Sequence, residues 1–353
     1  MSYSVPCRLR RNNFDLLRLV FATMVCLVHA HQLSGLRQLG WIAKTFSSSV
    51  AVKGFFVVSG FLIFMSYDRS PTLASYAGKR FRRIYPAYFT VVMLCAFGLF
   101  AASSKPVGDY FSLVWLKYLA ANLSFLNFFQ LTLPGVFESN RLAAVNGALW
   151  TLKIEVMFYL AVPVFALLFR RLGQLPILLA TYCGSVLYVV LCETLAQRTG
   201  SGLYRELGNQ LPGQLSYFMA GAAFYYYRLW FEQNAKYLVT AAGLVLLAHR
   251  FFPLPLLEPI ALGTVVVFLG LFAYVGNCGK YGDFSYGVYI LHFPIIQLLI
   301  YSGWFQGNPG YFLLATLLST FTGAVALWHL LEKRFLLRSS HYVEATAAEP
   351  AGR

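Results

Sequence analysis

The chain alternates long apolar stretches with short polar connections, most of them basic. Roughly ten stretches reach the length of about 20 residues that a helix needs to cross a bilayer. They centre near Val25, Val58, Met93, Tyr159, Leu187, Ala222, Leu244, Val267, Leu291 and Leu318. An eleventh, from Phe111 to Leu133, is broken by Lys117, Asn122 and Asn127, and is expected to be re-entrant or interfacial. No fixed-period repeat or low-complexity run interrupts the pattern. The fold class expected is all-α: a polytopic transmembrane helical bundle of about ten spans plus this re-entrant segment. Residues 1–338 are expected to form one transmembrane domain, and 339–353 a short, disordered cytoplasmic tail.

Composition narrows the class. Of 353 residues, 58% are hydrophobic and 12% are charged; soluble domains carry roughly 25% charged residues. So few charges cannot cover the outside of a soluble globule with this much apolar surface, which excludes a cytosolic enzyme, a disordered chain and a secreted disulfide scaffold. The net charge of +15 comes from short clusters flanking apolar runs rather than from a nucleic-acid-binding face, so no nucleic-acid partner is expected. The six cysteines stand singly, without a CxxC pair, and read as small core residues; no metal site is expected. The first apolar run is long enough to span and is expected to be retained rather than cleaved as a signal. With ten spans, Lys and Arg divide 18 to 10 between the two sides, the larger share falling with the termini. The positive-inside rule then places both termini in the cytoplasm and the protein in the inner (plasma) membrane.

Ionisable residues inside spans cost at least ~2.5–3.5 kcal/mol at the helix centre, so each calls for a reason. Arg18 and His29 are 11 residues apart; at roughly 100° per residue they share a helix face, about 16 Å apart along the axis. Asp15 can pair with Arg18. The bland alternative is an arginine that snorkels to the headgroups and a histidine in a buried hydrogen bond. His31 lies on another face and reads as structural.

In Lys79-Arg80-Phe81-Arg82-Arg83, Lys79 and Arg82 are explained by topology or anionic headgroups. Arg80 and Arg83 share a face, and two guanidinium forks suit a phosphate or pyrophosphate. Glu155 lies inside a span. Lys153 points elsewhere, so a partner from another helix is expected. Asp283 and Ser285 read as helix-capping residues. His292, and Glu332 with Lys333 and Arg334, read as structural.

Taken in order, these segments resemble the integral-membrane acyltransferase family (acyltransferase type 3), which includes O-acetyltransferases of bacterial O-antigen and other surface glycans. Phe14-Asp15-Leu16-Leu17-Arg18 followed by ten residues and His29 is similar to the family's first helix. Gly54-Phe55-Phe56-Val57-Val58-Ser59-Gly60 resembles its second-helix signature, and Arg80-Phe81-Arg82-Arg83-Ile84-Tyr85-Pro86 its RxxR-I-x-P motif. Trp150-Thr151-Leu152 with Glu155 and Phe158-Tyr159 resembles its W-S-L-x-x-E-x-x-F-Y segment, with Thr for Ser. Phe284-Ser285-Tyr286-Gly287 through His292 and Pro294 resembles its late helix. The resemblance spans roughly Asn12 to Phe335.

It implies acyl transfer from a cytoplasmic acyl-CoA, usually acetyl-CoA, to a hydroxyl of a glycan or lipid-linked glycan, as in lipopolysaccharide O-acetylation. The residues fit that chemistry. His29 is the expected general base, since a neutral imidazole can take the proton of a poorly nucleophilic hydroxyl. Arg80 and Arg83, with Arg18 above them, are expected to hold the anionic part of coenzyme A. Glu155 is expected to orient His29 or contact the acceptor. Membrane lipids are the remaining expected partner; the pattern leaves oligomeric state open. The rival class is a transporter or flippase of a lipid-linked glycan or small anionic solute, since buried Arg, His and Glu also line transport paths.

Overall fold

A computed structural model describes residues 12–276, 278–304 and 307–336. The expected tail over 339–353 lies outside the described residues. The long helices are α1 Phe14–Ser34, α2 Ser48–Asp68, α3 Leu73–Gly98, α4 Leu113–Leu123, α5 Trp150–Leu172, α6 Gln174–Thr199, α7 Leu211–Tyr226, α8 Arg228–His249, α9 Glu258–Leu271, α10 Ser285–Ser302 and α11 Pro309–Leu327. No strand occurs among the described residues; an isolated bridge joins Ser103 and Val136. All ten apolar centres read from the sequence fall in helices, and the fold is an all-α polytopic bundle. Among the described residues, 7 helical segments are long and apolar enough to cross a membrane. The other three centres lie in α7 and α9, with 16 and 14 residues, and in α8, which carries Arg228, Glu232 and Lys236. The interrupted eleventh stretch forms the 11-residue α4, which stops before Phe125 at φ 60°. Buried Asn122 there donates to the carbonyls of Tyr118 and Gln130.

The chain divides into two compact units whose segments alternate along the sequence. The first takes residues up to 17, with 52–77 and 154–277. Its helices pack closely because small residues face backbone: a Cβ on Gly60 would meet the Phe218 carbonyl at 2.0 Å, and one on Gly221 the Val57 carbonyl at 2.0 Å. Such contact supplies the dispersion energy that holds helices together where lipid removes the hydrophobic drive. Asn13 caps the end of α9 by donating to Leu269 O and Ala273 O and accepting from Val275 N–H. Pro163 lacks the N–H that would bond the Tyr159 carbonyl, and the Tyr76 hydroxyl donates to that carbonyl instead at 3.0 Å.

The second unit takes residues 18–51, 78–153 and 278 onward. It holds most of α1 and α3, the segment from α4 to the start of α5, and the α10–α11 pair. The loop before α5 is tied to the end of α10: Asn140 donates to Gln297 Oε1 at 2.9 Å, and Gln297 Nε2 donates to Ala144 O at 2.7 Å. Helix α10 ends on Gly303 at φ 69°, a left-handed cap that favours glycine.

Candidate active site

The second unit gathers two polar groupings within its apolar helices. The first sits where α1 and α10 begin and α11 ends. Asp283, just before α10, is 1% exposed at its side chain. Its Oδ1 accepts from the backbone N–H and hydroxyl of Ser285, which starts the helix as expected of a cap. Its Oδ2 accepts from two arginines at once: Arg18 Nη2 at 2.8 Å and Arg83 Nη2. The other arm of Arg83, Nη1, lies 3.4 Å from Glu332 Oε2. A π-turn over Trp328–Glu332 follows α11 and carries Glu332 into this cluster. Gly282, at φ 123°, permits the arrangement, because a Cβ there would stand 2.3 Å from the Trp328 indole nitrogen. The Arg83 guanidinium also lies over the Tyr286 ring, 5.9 Å from its centroid. Two cations and two carboxylates thus balance where unpaired charge would be expensive.

The second grouping is a histidine pair. His29 Nδ1 lies 2.8 Å from His292 Nε2, and the two rings stack with centroids 5.1 Å apart. His29 is partly exposed, whereas His292 is fully buried with Nδ1 3.2 Å from the Val288 carbonyl. Phe293 meets His29 edge-on at 5.6 Å and occupies the space where a Cβ on Gly147 would stand. Pro294 cannot bond the Ile290 carbonyl one turn earlier, so Asn146 Nδ2 donates to it at 2.8 Å. Thr151 Oγ1 and the Tyr289 hydroxyl bond at 2.6 Å. The Asn146–Thr151 segment therefore braces α10 in the turn that leads into His292.

Arg18 and His29 occupy one helix, about 16 Å apart along its axis. Arg18 and Arg83 meet on one carboxylate. Arg80 is half-buried one turn before Arg83, Lys79 is half-buried, and Arg82 is exposed. Glu155 belongs to the first unit. The expected partner from another helix is replaced there by one on its own: the Tyr159 hydroxyl, four residues on, donates to Glu155 Oε1 at 2.7 Å. A Tyr four residues away stacks one turn above on the same face and needs no second helix. Reading from residues missed Asp283 as the junction of two arginines, Glu332 as the second carboxylate, and His292 as the partner of His29. The charge balance of the spans was the available signal, since Arg18 and Arg83 inside the membrane require carboxylates.

Chemically, the histidine pair presents an imidazole that can exchange a proton, and the cluster presents guanidinium forks held in fixed orientation. Comparison with known proteins gives both a family context. The O-acetyl transferase of Shigella phage Sf6 is 28% identical over 348 residues, covering 94% of this chain and 98% of that protein. Nodulation protein 10 of Rhizobium leguminosarum bv. viciae is 27% identical over 340 residues, covering 83% of this chain and 85% of that protein. The acyltransferase MdmB of Streptomyces mycarofaciens is 27% identical over 176 residues, 48% of this chain and 42% of that protein. No solved structure matches. The acyltransferase-domain family matches residues 11–329, nearly the whole chain, and the chain belongs to that family as a multi-pass membrane acyltransferase.

Proposed function

We propose that this acyltransferase moves an acyl group, in the simplest case acetyl, from cytoplasmic acyl-CoA to a hydroxyl of a surface glycan or its lipid-linked precursor. The observation that carries the proposal is the juxtaposition within the second unit: an imidazole in a span, and on the same helix about 16 Å away an arginine tied into a cluster of guanidiniums and carboxylates. The phosphates of a coenzyme A donor suit guanidinium forks. Arg80 and Arg83, with Arg18, would receive them, and the thin pantetheine arm would carry the thioester along the bundle towards His29. His29 takes the proton of the acceptor hydroxyl as its oxygen attacks the thioester carbon. The thioester C–S bond breaks, an ester C–O bond forms, and the proton leaves with the coenzyme A thiol. The whole domain to residue 338 serves this reaction in the inner (plasma) membrane, with both termini cytoplasmic, in keeping with the cation count. An acetyl donor agrees with the name of the Shigella phage relative, an O-acetyl transferase.

The test is transfer of radiolabelled acetyl from acetyl-CoA to lipid-linked glycan by the protein in nanodiscs. His29→Gln keeps a hydrogen-bonding group but no base, and should lose 10²–10⁴-fold in rate. His31→Ala should retain activity. Robust product from His29→Gln at matched folded protein would remove His29 from the chemistry.

A further inference from the structure

We propose that His292 is a positioning residue that fixes the tautomer of His29, leaving Nε2 of His29 as the atom that accepts the hydroxyl proton. The inference rests on the reading of His29 as the base and adds which nitrogen acts and what holds it so. It follows from hydrogen-bond roles. The Val288 carbonyl, 3.2 Å from His292 Nδ1, can only accept, so His292 Nδ1 carries a hydrogen. A neutral imidazole carries one, so His292 Nε2 presents a lone pair. That nitrogen lies 2.8 Å from His29 Nδ1, a distance two lone pairs would not tolerate. His29 Nδ1 therefore carries a hydrogen, and His29 Nε2 is bare.

Both rings are neutral in this arrangement. The alternative is an imidazolium at His292, which is 0% exposed and would have only neutral groups, backbone carbonyls and a second imidazole, to stabilise it. The direction of the relay is set by the helix. A histidine whose Nδ1 bonds the carbonyl four residues back turns Nε2 outward, and Tyr289, 5.8 Å from the His292 ring, flanks it. Tyr289 is in turn held by Thr151, and Ile290 by Asn146, so the ring has little freedom to reorient.

During transfer, the acceptor's O–H bond breaks and its proton joins His29 Nε2, making His29 an imidazolium. Its Nδ1–H donates to the neutral His292 Nε2 throughout, and that bond becomes charge-assisted at this step. The proton passes from Nε2 to the sulfur of the departing coenzyme A, and both rings return to their starting state. His292 thus fills the orienting place that a carboxylate fills in hydrolase triads, without adding a charge to the span.

The test pairs kinetics with ¹⁵N NMR of histidine-labelled full-length protein in nanodiscs, with His29→Gln used to assign the His29 signals. In the wild type, His29 should show a protonated Nδ1 and a bare Nε2. His292→Phe should remove that preference and lower kcat about 10–100-fold, with KM for acetyl-CoA unchanged. His292→Gln, whose Oε1 can accept the same bond, should restore the tautomer and most of kcat. Should His292→Phe fail to fold, the wild-type spectrum and the Gln variant decide the matter. A proton on His29 Nε2 in the wild type, or kcat within twofold of wild type in folded His292→Phe, overturns the proposal. Activity in His29→Gln would instead sink the base assignment while the tautomer measurement stood, so the two failures are distinguishable.

Discussion

Replacing Asp283 by Asn probes the charge cluster most directly. The amide retains an oxygen for the Ser285 N–H, so the start of α10 is kept, while the charged oxygen that accepts from both arginines becomes a neutral N–H donor. What remains is two guanidiniums, 18% and 13% exposed at the side chain, facing one carboxylate. At an effective dielectric of about 20, unit charges 4 Å apart attract by about 4 kcal/mol. Removing one partner of a buried ion pair costs about 3–5 kcal/mol because the other charge is left behind. Glu332 still holds one arm of Arg83 at 3.4 Å, which offsets part of that loss. Asp283→Asn should therefore destabilise by about 3 kcal/mol, the lower end of that range. Adding Arg83→Met brings the balance back to one arginine and one carboxylate. The double variant should be more stable than the sum of the single losses by at least ~2 kcal/mol, the signature of coupled neighbours. Equilibrium unfolding of the purified protein in lipid–detergent micelles measures all three. A loss below about 1 kcal/mol for Asp283→Asn, or additivity within ~0.5 kcal/mol, would refute Asp283 as the junction of the cluster.

Three further outcomes follow from the same geometry. Arg80→Ala should raise KM for acetyl-CoA by an amount equivalent to about 2–4 kcal/mol, and Lys79→Ala should do little; equal losses in the transfer assay would indicate a general headgroup-binding patch. Gly60→Ala should lower the yield of folded protein, since its Cβ would lie 2.0 Å from a backbone oxygen, whereas Gly78→Ala has nothing within 4 Å and should be tolerated; size-exclusion chromatography after solubilisation separates the two. In a cysteine-free background, an impermeant maleimide on intact cells should label Ser104→Cys and not Thr72→Cys, at opposite ends of α3, and the reverse pattern would invert the topology.

Local geometry was legible because it depends on spacing alone. Arg18 and His29 share a face on any regular helix, so their alignment along α1 needed no partner to be known. The apolar centres were equally readable, since span length is set by the bilayer. Span number was less so. Helices α7 and α9 are apolar but have only 16 and 14 residues, and hydropathy does not reveal where a buried helix stops. Pairing was hidden for a different reason. Arg83 meets Asp283 across 200 residues of chain and His29 meets His292 across 263, and no periodicity links such positions. Asp283 was also masked by a role it does perform, since a carboxylate that caps a helix explains itself before a second duty is sought.

What sequence does state is demand. Pro294 leaves the Ile290 carbonyl without its helical donor, and in lipid that carbonyl must be satisfied. The donor is Asn146, 144 residues earlier, in a stretch that reads as loop. Pro163 creates the same demand on Tyr159, and Tyr76 meets it. The arginines of α1 and α3 require carboxylates, and Asp283 and Glu332 supply them. In each case the cost of an unsatisfied group in hydrocarbon, several kcal/mol, makes the existence of a partner predictable, while only the packed chain identifies it. The histidine pair is the informative exception. No charge dictates the partner here: the buried ring nitrogen of His292 needs a bond, and that a second histidine supplies it points to the chemistry that a fixed tautomer would serve.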